Sequence, residues 1–223
     1  MDGDLRFLSH HDCMRAVERL AVRGRLPLRY SQGFNPRPIL SVVFPRPVGV
    51  AARQDLLVLS VDEPIRADDL LGRLNAHAPR GMRFERAKPL EGKGPRPLRA
   101  RYEMELDPPR LCAVQQRIDE LRRQPCWQVE RMQTARRAKG PKARIIDVRP
   151  LVGELQLDGS TLRVVLVRRG DMWARPAEVL RLLGMDERAD LARLVRTRIE
   201  CEFPPPSSAP APGSAQNEIP RRE

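Results

Sequence analysis

Clustered metal ligands and aromatic residues are scarce in this sequence. Its four cysteines, Cys13, Cys112, Cys126 and Cys201, lie far apart and form no CxxC or Cys/His pattern. We therefore expect no structural metal, no iron–sulfur cluster and no other cofactor in this chain. Phenylalanine, tryptophan and tyrosine make up only 4% of the residues, so each aromatic residue in a loop is a stronger candidate for contacting a ligand.

Long apolar runs are also missing. Met1 is followed directly by Asp2, Asp4 and Arg6, without the apolar segment of a signal peptide. No run approaches the roughly 20 residues that a membrane-spanning helix needs. This pattern predicts a cytoplasmic protein with reduced thiols and no membrane partner.

Acidic residues are outnumbered by basic ones. The chain has 41 Lys and Arg against 29 Asp and Glu, which gives a formal net charge of +12. Most of the positive charge is arginine, which a GC-rich coding sequence can favour by itself, but that bias does not lower the number of carboxylates. The excess therefore indicates a polyanionic partner, most simply a nucleic acid.

Residues 30–38 are predicted to form a stiff loop between two strands. Gly33 permits a positive φ, and the two prolines of the segment restrict the backbone around Asn35 and Arg37. The aromatic rings of this loop can stack on bases, its amides can form hydrogen bonds, and its arginine can bind a phosphate. Its candidate RNA-binding residues are Tyr30, Ser31, Gln32, Gly33, Phe34, Asn35 and Arg37. Alternatively, the loop is a strand connection that only sets geometry.

A helix is predicted to begin after Ser9, with Ser9 as its N-cap and Asp12 at the third helical position in the manner of a capping box. Arginines recur at positions i, i+4 and i+8 on one face and form a cationic stripe of Arg15, Arg19 and Arg23. We interpret Arg15 and Arg19 as phosphate-binding residues. The alternative is an ordinary solvated helix surface.

His10 and His11 stand at the start of the predicted helix, where the helix dipole disfavours the charged form of a histidine. One of them could act as general base on a 2′-hydroxyl, with Arg15 or Arg37 stabilising the transition state of a metal-independent endoribonuclease. The other interpretation is that both are capping or surface residues. In the preferred interpretation the chain has no catalytic residue.

A second basic segment, residues 134–144, contains no acidic residue. Like charges in such a loop repel each other, so a nucleic-acid backbone suits it better than water alone. Its candidate phosphate-binding residues are Arg136, Arg137, Lys139, Lys142 and Arg144. A solvated hairpin tip is the alternative.

The pattern of apolar residues predicts an α+β fold of two ferredoxin-like (βαββαβ-type) units in tandem, each an antiparallel sheet with helices on one face. Residues 1–90 are predicted to form the first unit, which ends with a strand at residues 82–87, and residues 99–203 the second. Residues 91–98, rich in Gly, Pro, Lys and Arg, are a predicted linker. Residues 204–223 are a predicted disordered tail.

Several motifs together resemble the radical SAM-linked protein family, a bacterial domain of unknown function encoded beside, or fused to, a radical SAM protein. The motifs are DLRFLSHHD at residues 4–12, MR at 14–15, ER at 18–19, YSQGFNPRP at 30–38, VGV at 48–50 and DVRP at 147–150. The resemblance implies an accessory subunit that works with a radical SAM enzyme in trans. It also marks Ser9, His10, Asp12 and Asp147 as motif residues without an assigned role, and Arg149 as a further candidate for binding the substrate.

Two departures qualify what the resemblance implies. In that family a strand usually precedes the DLRF segment, so the first unit here is expected to lack its first strand, or the coding frame to start further upstream. The CxxxCxxC motif that holds the [4Fe–4S] cluster of a radical SAM enzyme is absent from this sequence. The radical is therefore expected to be generated by the partner.

Three functions agree with these features. The preferred one is a non-catalytic RNA-binding module that presents a structured RNA to the radical SAM enzyme for modification or processing. The second is a protein–protein adaptor for that enzyme, with Asp12, Arg15, Gln32 and Asn35 as its polar contact surface. The third is the endoribonuclease described above.

Overall fold

The structure, a computed structural model, describes Met1, residues 3–133 and residues 142–204. It has a mixed α+β fold, which confirms the predicted class. Its helices are α1 (His10–Arg23), α2 (Ala67–His77), α3 (Pro108–Arg123) and α4 (Pro176–Leu182), and short 3-10 turns lie at Gly3–Phe7, Arg149–Leu151 and Leu191–Arg193. In this part of the chain, no helix combines the length and the apolar character that crossing a membrane requires.

The described strands form one large sheet and two small ladders. The strands are β1 (Leu40–Val42), β2 (Ala51–Ala52), β3 (Leu57–Leu59), β4 (Arg96–Glu105), β5 (Gln128–Gln133), β6 (Lys142–Asp147), β7 (Val152–Asp158), β8 (Thr161–Val167) and β9 (Val195–Glu202). The large sheet has the order β2-β9-β4-β8-β7, while β1 pairs with β3 and β5 pairs with β6. The β2–β9 pair is parallel and the other pairs are antiparallel.

The main core lies between the large sheet and the helices α3 and α4. On α3 the residues Val114, Ile118 and Leu121 recur at helical spacing and are buried, whereas Arg122 and Arg123 end the helix in solvent. Two prolines occupy the first turn of α3, where no backbone donor is needed for the helix. A smaller core of Leu20, Ala21, Leu26, Leu28, Leu74 and Met82 lies under α1 and α2.

The prediction of a strand at residues 82–87 is wrong. Met82 is buried there, but the segment has no strand pairing. The side-chain amide of Asn75 donates to the carbonyl of Phe84 at 2.8 Å and accepts from its backbone N–H at 2.9 Å. A side chain of α2 therefore satisfies the backbone groups that a neighbouring strand would otherwise satisfy.

The two tandem ferredoxin-like units are not confirmed. The short strand β2, from the first half of the chain, joins the sheet of the second half by pairing with β9. The backbone N–H of Arg53 extends this contact by donating to the carbonyl of Arg196 at 2.9 Å. β4 begins at Arg96, within the predicted linker, and residues 205–223 of the predicted tail lie outside the described residues.

A fully buried arginine on β9 joins the two halves of the chain. Arg196 has an exposed fraction of 0%. Its guanidinium donates to the carbonyl of Phe44 at 2.8 Å, forms an ion pair with Asp55, and lies 5.3 Å from the centroid of the Phe44 ring. A buried cation is stable only when it is paired and hydrogen-bonded, so these contacts hold the segment around residues 44–55 against β9.

Arg110 of α3 and Asp190 form a second partly buried ion pair. The guanidinium binds both carboxylate oxygens, at 2.7 and 2.6 Å, and the Asp190 side chain is only 5% exposed. The hydrogen bonds from Arg110 are the main reason why the pKa of Asp190 lies below its usual value, and a bond from the backbone N–H of Asp186 adds to them. A lowered pKa means that the ionised carboxylate stabilises the folded state.

We expect Asp190→Asn to lower the free energy of unfolding by about 2 kcal/mol at neutral pH, because the charged hydrogen bonds are lost. The difference between the two proteins should begin to shrink as the pH falls below the ordinary aspartate pKa of about 4, where the unfolded state takes up a proton, and should disappear below the lowered pKa of native Asp190. Urea unfolding at neutral and acidic pH measures both effects. Asp119→Asn, which removes the exposed pair with Arg122, is the control and should change stability by less than about 1 kcal/mol. Equal losses in the two variants would contradict this account.

Candidate functional site

The 30–38 loop is a hairpin whose base is closed by backbone and side-chain hydrogen bonds. Tyr30 and Pro38 form an antiparallel bridge. The backbone N–H of Ser31 donates to the carbonyl of Arg37 at 2.8 Å, and the N–H of Arg37 donates to the Ser31 hydroxyl at 3.0 Å. These bonds hold Tyr30 and Arg37 at the base of the hairpin and leave residues 32–36 as its tip.

This hairpin is fastened to the end of β3. Three backbone hydrogen bonds make this connection. The N–H of Arg29 donates to the carbonyl of Ser60 at 2.9 Å, the N–H of Ser60 donates to the carbonyl of Ile39 at 2.9 Å, and the N–H of Ile39 donates to the carbonyl of Arg29 at 2.8 Å. The guanidinium of Arg29 also forms an exposed ion pair with Asp62 at 2.9 Å. These contacts anchor the base of the loop and add to the restraint from its prolines.

The tip of the hairpin is exposed. Gly33 has a φ of +141°, a backbone conformation that a residue with a side chain rarely adopts, and the space around it is open. Phe34 next to it is fully exposed, and Gln32 and Asn35 are exposed as well. Aromatic residues are enriched in protein–protein interfaces and stack on the bases of single-stranded nucleic acids, so a fully exposed phenylalanine on a tethered hairpin is a candidate contact residue.

Helix α1 begins as predicted, with Ser9 as its N-cap. The Ser9 hydroxyl accepts a hydrogen bond from the backbone N–H of Asp12 at 3.2 Å and donates to the Asp12 carboxylate at 2.7 Å. The buried face of the helix consists of Cys13, Val17, Leu20 and Ala21. The motif residues Ser9 and Asp12 therefore have a structural role, because they fix the start of α1.

The predicted arginine stripe lies on the exposed face of α1. Arg15, Arg19 and Arg23 are all exposed. Arg15 lies 4.0 Å from Asp12, whereas Arg19 and Arg23 make no ion pair with any described residue. The stripe thus has unneutralised charge at the C-terminal half of the helix.

The stripe and the hairpin meet in one groove. This α1–loop groove has a volume of about 400 Å³ and is lined by Glu18, Arg19, Val22, Arg23, Tyr30 and Pro38. Two features that are separate in the sequence therefore form a single surface. Val22 was not predicted as a site residue; its signal in the sequence is an apolar side chain on the arginine-bearing face, three positions after Arg19.

The groove combines three kinds of chemistry. Arg19 and Arg23 supply guanidinium donors that suit phosphate oxygens. Tyr30, which is 43% exposed, supplies an aromatic face and a hydroxyl group. Glu18 supplies an acceptor for an amino group beside the cations, and Val22 supplies an apolar wall. Such a groove can hold a flat ring and a neighbouring phosphate together.

His10 and His11 do not line the groove. Both are exposed, and their ring centroids are 5.9 Å apart. Along α1 they precede the first groove residue, Glu18, by about two turns, which is about 10–12 Å along the helix axis. Among the described residues no group of three or more His, Cys, Asp or Glu side chains is arranged to hold a metal ion.

The candidates from the second half of the chain lie elsewhere. Asp147 accepts hydrogen bonds from the backbone N–H groups of Trp127 and Arg149, at 2.8 and 3.0 Å. The Arg149 side chain donates to the carbonyl of Pro125 at 2.8 Å, so this motif stabilises the turn that precedes β5. Arg144 is exposed on β6. Arg136, Arg137 and Lys139, together with the side chain of Lys142, lie outside the described residues.

The fold and the groove together define a mixed α+β protein with a cationic surface that carries an aromatic hairpin. Residues 1–176 match the family described as "Uncharacterized protein conserved in bacteria (DUF2344)", and this chain belongs to that family. The match contains the whole groove and ends at the start of α4. Neither a curated protein nor a solved structure matches this chain.

Proposed function

We propose that this protein binds RNA in the α1–loop groove and presents it to a separate radical SAM enzyme. The observation that carries the proposal is the meeting of Arg19 and Arg23 with Tyr30 in one groove. Guanidinium groups bind phosphates, and exposed aromatic rings stack on unpaired bases, which is how proteins recognise single-stranded loops of RNA. The excess of basic residues over the whole chain attracts the same ligand from a distance.

The construction of the hairpin supports binding of an unpaired base. The hydrogen bonds between Ser31 and Arg37 restrain the base of the hairpin before any ligand is bound. A preorganised binding element loses less conformational entropy on association, so more of the stacking energy of Tyr30 and Phe34 appears as affinity. Arg37, exposed at the base of the same hairpin, is placed to bind a further phosphate.

The enzyme partner is proposed from the sequence resemblance. This chain has no cysteine triplet for a [4Fe–4S] cluster, so the radical chemistry is assigned to the partner. In this division of labour, the present protein holds the RNA and the enzyme modifies or processes it.

The salt dependence of RNA binding tests the proposal. We expect the affinity for a fluorescent RNA hairpin with a single-stranded loop to fall steeply between about 50 and 200 mM salt, because bound cations are released from the phosphates. Arg19→Gln combined with Arg23→Gln should reduce the slope of log K against log salt concentration by about 1.4–1.8, which corresponds to two phosphate contacts. Fluorescence anisotropy at several salt concentrations measures this slope.

A matched control separates the groove from net charge. Arg123 and Arg188 are exposed in the second half of the chain and have no ion pair among the described residues, so Arg123→Gln with Arg188→Gln removes the same charge. This control should leave the slope nearly unchanged. A similar reduction in both double variants would contradict the groove. If RNA affinity did not change in the groove variant but co-purification with the radical SAM enzyme were lost, the adaptor function would be favoured instead.

A further inference from the structure

A small pocket lies on the face of the large sheet that points away from the main core. Along β4, Ala100, Tyr102 and Met104 are buried on the core side, and Arg99 and Arg101 alternate with them on the other side. The pocket has a volume of about 50 Å³ and is lined by Arg99, Arg101, Glu154, Val165, Arg198 and Glu200. It shares no residue with the α1–loop groove.

The strand register places like charges opposite each other in this pocket. Arg101 of β4 is the direct partner of Arg198 of β9. Two arginines at directly opposite positions of an antiparallel pair repel each other and destabilise the sheet. A one-residue shift of the strand register would separate the two arginines, but it would cost stability because Tyr102, which faces the core on the same strand, would become exposed.

The carboxylates of the pocket neutralise this charge only in part. Glu200 lies 3.8 Å from Arg198, and Glu154 lies 3.9 Å from Arg163. Glu200 therefore offsets the charge of Arg198 and is also the cross-strand partner of Arg99, whereas Glu154 pairs with an arginine outside the pocket. Arg99 and Arg101 have no ion pair with any described residue, which leaves unneutralised cations on the rim.

The pocket is also shaped for a compact anion. Val165, which pairs directly with Arg101, is buried and lines the pocket as an apolar wall. Long arginine side chains can cover such an apolar surface with their aliphatic parts while their guanidinium groups stay in solvent. A volume of about 50 Å³ suits one tetrahedral oxyanion and is too small for a nucleobase with its sugar. Guanidinium groups bind phosphate oxygens in a bidentate manner, so a phosphate between Arg101 and Arg198 would turn their repulsion into attraction.

We propose that this pocket is a phosphate-binding site in which Arg99, Arg101 and Arg198 hold one phosphate group. The site goes beyond the proposed RNA groove, because it uses other strands and no stacking residue. The phosphate is either part of a nucleic-acid backbone or a free or small-molecule phosphate; the chemistry of the pocket is the same for both.

Thermal unfolding of the full chain in phosphate and in chloride, at equal ionic strength, tests the site. We expect inorganic phosphate, at roughly ten times its Kd, to raise the Tm of the wild-type protein by about 3–5 °C, since a ligand that binds only the folded state stabilises it. Arg101→Gln should lose most of this rise. In chloride the same variant should melt slightly above the wild type, because the repulsion between Arg101 and Arg198 has been removed.

Two further variants keep this test decisive. Arg198→Gln should lose most of the phosphate response as well. The Arg198 side chain is 64% exposed, so this replacement leaves the core intact. Arg83→Gln removes an equal charge from an exposed position on another segment and should respond to phosphate like the wild type. A full phosphate response in Arg101→Gln and Arg198→Gln, or no response in the wild type, would overturn the site.

The source of the phosphate is distinguished with an oligouridine RNA. If the site binds the nucleic-acid backbone, Arg101→Gln should reduce the salt slope of RNA binding by about 0.7, the value for one contact to a single strand. An unchanged slope, together with the lost response to inorganic phosphate, assigns the pocket to a free or small-molecule phosphate. Both results support the site. The response to inorganic phosphate does not depend on Arg19, Arg23 or Tyr30, so failure of the RNA groove leaves the phosphate test intact.

Discussion

Arg196→Met is expected to lower the free energy of unfolding by about 3–4 kcal/mol. Removing one partner of a buried ion pair leaves the other charge without compensation, which costs more than the pair itself contributes. In this protein the Asp55 carboxylate would lose its ion-pair partner, and the carbonyl of Phe44 would lose its hydrogen bond from the guanidinium. Methionine fills a similar volume, so the loss measures the polar contacts more than the packing.

Urea unfolding followed by circular dichroism measures this loss as a lower midpoint concentration with an unchanged m-value. Arg198→Met is the matched control, since Arg198 lies two residues further along β9 and has an exposed side chain. In chloride buffer it should change the free energy of unfolding by no more than about 0.5 kcal/mol. Equal losses at the two positions would show that Arg196 does not join the halves of the chain as described.

The same variant should reveal where the fold opens first. The first half has only a small core under α1 and α2, and its β2 depends on pairing with β9. Without the bonds from Arg196 to residues around Phe44 and Asp55, hydrogen exchange should accelerate in β2 more than in β4 or β8. Uniform acceleration across the sheet would indicate a global effect instead.

Tyr30→Ala and Phe34→Ala are each expected to weaken RNA binding by about 1–3 kcal/mol, the usual cost of losing one base–aromatic stack, or roughly 5- to 150-fold in Kd. The slope of log K against log salt concentration should not change, because neither side chain carries a charge. Weaker binding with an unchanged slope differs from the result expected for the Arg19 and Arg23 double variant, in which the slope falls. Anisotropy titrations of the four proteins at two salt concentrations separate the two effects.

The choice of replacement tests whether stacking is responsible. Phe34→Tyr retains a flat ring and should bind like the wild type, whereas Phe34→Leu retains apolar area without a ring and should bind nearly as weakly as Phe34→Ala. Phe7→Ala removes another exposed phenylalanine, which is not part of the 30–38 hairpin, and should have little effect. If Phe34→Leu bound RNA as tightly as the wild type, stacking by Phe34 would be contradicted.

Neither aromatic variant should perturb the fold. Phe34 is fully exposed and Tyr30 is nearly half exposed, so their replacement removes little buried surface. The bridge between Tyr30 and Pro38 uses the backbone and survives the change of side chain. Thermal midpoints within a few degrees of the wild type are therefore expected, and they make a loss of RNA binding attributable to the ring.

Much of the local structure could be predicted from residue order. The N-cap at Ser9 followed from capping chemistry. The exposure of the α1 arginines also followed from the sequence pattern, since the apolar residues of that helix lie on another face, which is buried. The strand predicted at residues 82–87 failed because Asn75, from a different element, satisfies Phe84.

Residue order alone was enough to establish a basic α+β chain with a stiff aromatic hairpin and a helical arginine stripe, because those properties depend on neighbours within one or two turns. It did not show that the stripe and the hairpin form one groove, that β2 crosses to β9, or that Arg101 faces Arg198. The β2–β9 and Arg101–Arg198 pairings join residues far apart in the chain, and the groove depends on how α1 and the hairpin that follows it pack together. Folding selects them by the burial of whole strand and helix faces, to which each single position contributes only a part.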